Sequence, residues 1–130
     1  MSRRSGVLGT LSMLGILGAV LASGCEDKNA TAAKMTGGDP SRGVATIRKY
    51  GCNSCHDIPG VEGVHGVVGP PLSGIAERVY LAGHLENSPA NMMRWIRDPQ
   101  SISPGTAMPE LGVTEQDSRD IAAYLYTLRR

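Results

Sequence analysis

Five residues constrain this chain more than any other stretch: Cys52-Asn53-Ser54-Cys55-His56. With two residues between the cysteines and a histidine directly after, one turn of backbone places two thiols and an imidazole on the same small object. A thiol adds to a vinyl group to give a thioether. The pattern is therefore that of covalent haem attachment: one haem c held by Cys52 and Cys55, with His56 delivered to the iron as proximal ligand. Two other uses of such a pair fit less well. A zinc site needs two further ligands at a recognisable spacing, and His65 and His84 stand 19 positions apart. A thioredoxin-like dithiol belongs in a βαβ setting, and the flanking residues show no alternating strand pattern.

A haem-centred domain also explains an otherwise thin composition. The 130 residues suffice for one domain, yet Phe is absent and aromatic residues make up only 4%. A small domain with so little to bury needs a staple, and the apolar faces of a porphyrin give Leu, Ile, Val and Met a surface to pack on. Charge excludes one class of partner. From Cys25 onward eleven Lys and Arg face twelve Asp and Glu, so no basic excess marks a nucleic-acid binder.

The third cysteine, Cys25, has its own context. Ser2-Arg3-Arg4, an apolar run from about Val7 to Ala22 and then Ser23-Gly24-Cys25 form the three parts of a secretory signal. The run is short and broken by glycine for a spanning helix. Leu21-Ala22-Ser23-Gly24-Cys25 resembles a bacterial lipoprotein signal, in which the cysteine is acylated and becomes the mature N-terminus; Ala22 stands where Leu is usual. An ordinary signal peptide with an unmodified Cys25 is the alternative. The expected organisation is a signal over 1–24, a flexible linker over 25–38 and a folded domain over 39–130. The thirteen polar and small residues from Glu26 to Gly38 would span about 45 Å extended. As a coil they would span about 20 Å. The expected location is extracytoplasmic, periplasmic and anchored to the cell membrane.

Within the domain, Asp39-Pro40 is a helix start, with Asp as cap and Pro at the first helical position. Val44, Ile47 and Tyr50 then recur at helical spacing up to Gly51 and the cysteine motif. Residues 57–68 lack a period and read as loop. Gly69-Pro70-Pro71-Leu72-Ser73-Gly74 is a turn leading into a short helix from Ile75 to Tyr80. Ser88-Pro89 opens a helix over 90–97 that Pro99 ends, followed by a loop through Pro104 to Pro109. Thr114 and Asp117 form a capping box for a last helix with Ile121, Leu125 and Leu128 as its apolar stripe and Tyr124 beside it.

A six-coordinate electron-transfer haem needs a second axial ligand, and a thioether is common. Met35 lies in the linker, and Met92 and Met93 lie in a helix, where Met is usually core filler. Met108 sits in a Pro/Gly loop just before the last helix, where an extended backbone can present its sulfur. His65 and His84 are the rivals.

Taken in order from Gly38 to Leu128, the chain resembles the class I c-type cytochromes. The resemblance rests on the N-terminal helix, CNSCH, GPPLSG, a helix ending in Arg-Asp-Pro, PGTAM, and a C-terminal helix with IAAYL. It implies an all-α fold, a small cytochrome c fold of about three to five helices wrapped around one covalent haem. It also implies His56 and Met108 as iron ligands, Pro70 as the carbonyl that accepts from the His56 ring, and Trp95 packed near the haem on the Met side. Relatives of mitochondrial type dock through a ring of lysines, whereas Lys49 is the only lysine from Asp39 onward. His/Met ligation suits one-electron transfer because neither oxidation state must gain or lose a ligand. The expected function is a membrane-tethered one-electron carrier of a respiratory chain, not an enzyme on its own. Its expected partners are a cytochrome bc-type complex, a terminal oxidase or a dehydrogenase. The alternatives are a haem subunit of a larger oxidase or dehydrogenase, and a peroxidase-like enzyme or gas sensor with a displaceable Met.

Overall fold

The computed structural model describes residues 27–130; the signal-like segment and Cys25 lie outside them. Five helices and one very short hairpin make up the described residues: α1 (Lys28–Thr36), α2 (Pro40–Lys49), β1 (Tyr80–Leu81), β2 (Leu85–Glu86), α3 (Pro89–Arg97), α4 (Pro99–Ile102) and α5 (Glu115–Thr127). Two 3₁₀ turns, Cys52–Ser54 and Ile75–Glu77, complete them. The fold is the expected all-α one.

The core forms where α2 crosses α5, and a glycine permits the crossing. A Cβ on Gly43 would lie 2.6 Å from Tyr124 Cβ and closer still to the Asp120 carbonyl oxygen. The two backbones therefore approach as they could around no larger residue. Ile47 of α2 and Ile121, Ala122 and Leu125 of α5 are buried there, joined by Met92 and Ile96 from α3. Asp120 locks the crossing. Its buried carboxylate accepts from the Asp39 N–H (2.8 Å), Arg42 Nε (2.8 Å), Arg42 Nη2 (2.9 Å) and Gln116 Nε2 (3.1 Å). Burial alone would push this carboxyl up; the bonds from Arg42, the Asp39 N–H and Gln116 override it and hold the group below its ordinary range.

The expected starts at Asp39, Ser88 and Thr114 are the observed caps: each side-chain oxygen accepts a first-turn N–H, from Ser41, Asn91 and Asp117. Three elements differ from expectation. The flexible linker over 25–38 is corrected over most of its length, since Lys28–Thr36 is a helix packed on α5. Asp27 caps it, Ala32 and Thr36 are buried, and Arg119 Nη1 donates to the Thr36 carbonyl at 3.2 Å. The small residues that suggested a linker instead allow close helix packing. The helix expected from Ile75 to Tyr80 stops at Glu77. Asn87 Nδ2 takes the carbonyls of Ile75 (2.9 Å) and Arg78 (2.8 Å), and the chain turns into the hairpin through Ala82 and Gly83 at φ 49° and 81°. Finally, Asp98-Pro99 ends α3 and also starts α4, with the Asp98 carboxylate accepting from the Ser101 N–H at 3.1 Å.

Candidate functional site

The cysteine motif occupies the exit of α2. Tyr50 caps the helix, Gly51 takes the left-handed conformation at φ 69°, and the chain winds tightly through Cys52–Ser54. His56 N–H and Cys55 N–H both donate to the Cys52 carbonyl, at 3.0 and 3.2 Å. Cys52, Cys55 and His56 thus leave one turn of backbone, all half-buried, and the two cysteines form no disulfide. Before attachment, burial pushes the Cys52 thiol above its ordinary value. Among the described residues, no cluster of three or more His, Cys, Asp and Glu is arranged to hold a metal ion.

The loop that follows folds back onto this turn. Gly66 N–H donates to Asn53 O (3.0 Å), Gly69 N–H to Cys55 O (2.8 Å) and Leu72 N–H to Asp57 O (2.8 Å). At its end the His56 ring is held on one side by a bond and on another by lack of space. His56 Nδ1 lies 2.8 Å from the Pro70 carbonyl oxygen. A carbonyl can only accept, so Nδ1 carries a proton, and in the neutral ring Nε2 keeps its lone pair. Beside the ring sits Gly69, where a Cβ would lie 2.6 Å from Nδ1 and 2.9 Å from Nε2, and closer still to Cε1. A fixed tautomer with an open Nε2, next to two thiols on the same turn, is the donor set that a covalent haem with an axial imidazole requires. The residues present fit the group.

Met108 is half-buried in the loop between α4 and α5. That loop is held by Gln100, which sequence reasoning missed. Its Nε2 donates to the carbonyls of Thr106 (2.9 Å) and Met108 (3.0 Å), while its Oε1 accepts from the Gly105 N–H (3.1 Å). No periodicity or motif marks a lone glutamine in a four-residue helix, so only the fold reveals it. The rival histidines are engaged elsewhere. His65 Nδ1 is 2.7 Å from Asp57 Oδ1, and both His84 ring nitrogens face carbonyls, Ala82 O at 3.0 Å and Ile102 O at 3.3 Å. Met92 is buried in the core and Met93 packs against it; Met35 lies exposed on α1. Trp95 is half-buried on α3.

Helix α5 braces the site from behind. Lys49 Nζ (2.9 Å) and Tyr50 Oη (2.7 Å) both donate to Asp117, and Tyr124 Oη donates to the Pro59 carbonyl (2.6 Å) just beyond His56. Lys49 and then Tyr50 hold the Asp117 carboxyl below its ordinary range.

The family model described as cytochrome c matches residues 40–129. The chain belongs to the cytochrome c family. As a member it carries covalent haem c, and its role is electron transport. Three relatives are each named cytochrome c oxidase subunit 2. One, from Alkalihalophilus pseudofirmus, is 36% identical over 90 residues, covering 68% of this chain and 25% of the relative. One from Bacillus sp. PS3 is 28% identical over 106 residues, or 78% and 30%. One from Bacillus subtilis is 31% identical over 87 residues, or 65% and 24%. The chain thus aligns with less than a third of the length of each of these curated relatives. Their names correct one expectation. The expectation is a carrier that is not an enzyme on its own, whereas each relative is named as a subunit of an oxidase.

Proposed function

We propose that this cytochrome c domain is a membrane-tethered one-electron carrier of a respiratory chain, serving a terminal oxidase, with His56 and Met108 as the axial ligands of its haem. Bound haem c supplies an iron that gains and loses one electron. The protein's part is to keep the surroundings of that iron the same in both states. Cys52 and Cys55 hold the group through thioethers. The Pro70 carbonyl fixes the His56 ring and makes its Nε2 a stronger donor. Gln100 ties down the loop carrying Met108, so the thioether is presented from a fixed backbone. A soft thioether favours the reduced state and sets a higher potential than a second imidazole would.

The observation that carries the reading is the His56–Pro70 bond, which leaves Nε2 alone available on a ring locked beside both thiols. The names of the relatives favour a terminal oxidase over a cytochrome bc-type complex or a dehydrogenase. The lipoprotein-like signal supports acylation of Cys25 as the tether, and no helix among the described residues is long and apolar enough to cross a membrane. The test is the oxidised spectrum. The wild type should show the weak sulfur-to-iron charge-transfer band in the far red, and Met108→Ala should lose it and bind carbon monoxide when reduced. A band that survives in Met108→Ala excludes Met108; a bis-imidazole spectrum in the wild type points to His65 or His84.

A further inference from the structure

Helix α1 changes what a tether at Cys25 can do. Had residues 26–38 been a coil, an anchored domain could swing through about 20 Å. Folded structure instead already includes Asp27, whose carboxylate accepts from the Asn29 N–H (2.9 Å) and whose carbonyl accepts from the Thr31 N–H (3.0 Å). From there α1 is fixed to α5 through buried Ala32 and Thr36. Only Glu26 separates Asp27 from Cys25, so the two Cα atoms are at most about 7 Å apart.

The surface at that end has a definite chemistry. Thr36 meets Arg119 near the start of α5, while Lys28 and Thr31 share a cleft of about 260 Å³ with Tyr126 and Arg129 at its end. The first turn of α1 and the last turn of α5 therefore emerge together. Lys28, Arg129 and Arg130 are all exposed there. Among the described residues, the acidic groups beside them are Asp27, which is used as the α1 cap, and Glu77, which accepts from the Arg130 N–H. Arg130 in turn lies against Gly74 in the turn before Ile75.

We propose that this end of the domain is a membrane-docking face, seated on anionic lipid headgroups through Lys28, Arg129 and Arg130, so that the anchor holds the domain in one orientation. The inference rests on the Cys25 tether proposed above. Each basic residue at an anionic surface favours the docked state roughly fivefold, offset in part by the Asp27 and Glu77 carboxylates beside them. The orientation has a defined result for the haem site. The turn that carries Pro70, which accepts from His56, runs into Gly74 beside Arg130, so the docked face borders the His56 side of the site.

The test uses the full lipidated protein on vesicles of phosphatidylcholine with and without phosphatidylglycerol. A nitroxide is placed at Ser73→Cys, beside Arg130, or at Glu115→Cys, at the far end of α5. Accessibility to a water-soluble paramagnetic reagent is then measured. On anionic vesicles the label at 73 should be shielded several-fold relative to the label at 115. The triple variant Lys28→Glu, Arg129→Glu, Arg130→Glu should lose that shielding while staying membrane-bound. Equal accessibility of both labels in a membrane-bound wild type overturns the docking face and leaves the tether standing. A Cys25→Ser variant that remains on the membrane overturns the tether, and this inference with it.

Discussion

Gly69→Ala separates the two reasons for a glycine in this fold and tests the site directly. Gly69 does not have positive φ, so alanine can adopt its backbone conformation. Only space forbids it: the new methyl would press on the His56 ring at distances well inside van der Waals contact. The ring must rotate or the loop must lift, and either movement breaks the His56–Pro70 bond, which is worth about 1 kcal/mol. Overpacking adds about 1–3 kcal/mol. The reduced freedom of the unfolded chain returns about 0.4–1 kcal/mol. The net loss is roughly 1–3 kcal/mol, or a melting temperature lower by about 5–15 °C in a domain of this size. Gly83→Ala is the matched control, because nothing lies within 4 Å of a Cβ there and the cost is the φ of 81° alone. Both variants would be melted as holoproteins and titrated for midpoint potential. Gly69→Ala should also raise the potential, since a ring without its carbonyl partner is a weaker donor to the oxidised iron. Gly83→Ala should leave the potential unchanged. A Gly69→Ala protein with wild-type potential, melting no lower than Gly83→Ala, would refute the contact between Gly69 and the imidazole.

Three further outcomes follow from the packing. Gly43→Ala should destabilise the domain by about 1–3 kcal/mol in denaturant unfolding, despite the better helix propensity of alanine, because its methyl meets backbone of α5. Asp120→Asn should cost about 2 kcal/mol at neutral pH. The Asp120 carboxyl is held below its ordinary value, so its stabilisation is complete above the unfolded-state value of about 3.9 and is lost as pH falls through the folded value; acid titration of stability should be shallower there in Asp120→Asn. Gln100→Ala should leave the fold intact but release the Met108 loop, weakening the far-red band and admitting carbon monoxide to the reduced protein faster than in the wild type.

What the sequence made legible were features with local chemistry. Asp39-Pro40, Ser88-Pro89 and Thr114 state their helix starts because cap and proline act within a single turn. The stripe of Ile121 and Leu125 is buried as its spacing requires. Pro70 was placed by resemblance, and its carbonyl meets His56. What stayed hidden depends on partners distant in the chain. Helix α1 carries alanine and threonine where an amphipathic stripe would carry leucine, and its burial is dictated by α5 more than 80 residues later. The helix after Gly74 is cut short by Asn87, and the Met108 loop is held by a glutamine whose role exists only once α4 has formed.

The bond between Asp39 and Asp120 spans 81 positions, so the domain closes only when its last helix is present. Until α5 exists, Ile47 lacks its packing partners, Lys49 and Tyr50 lack Asp117, and the loop beyond His56 lacks the Tyr124 clasp. The loop over Cys52 and Cys55 keeps its own bonds, but lacks these braces until α5 docks. Contacts this distant form late because loop closure must come first. Any state in which α5 is undocked therefore leaves both cysteines without the contacts that close the domain around them.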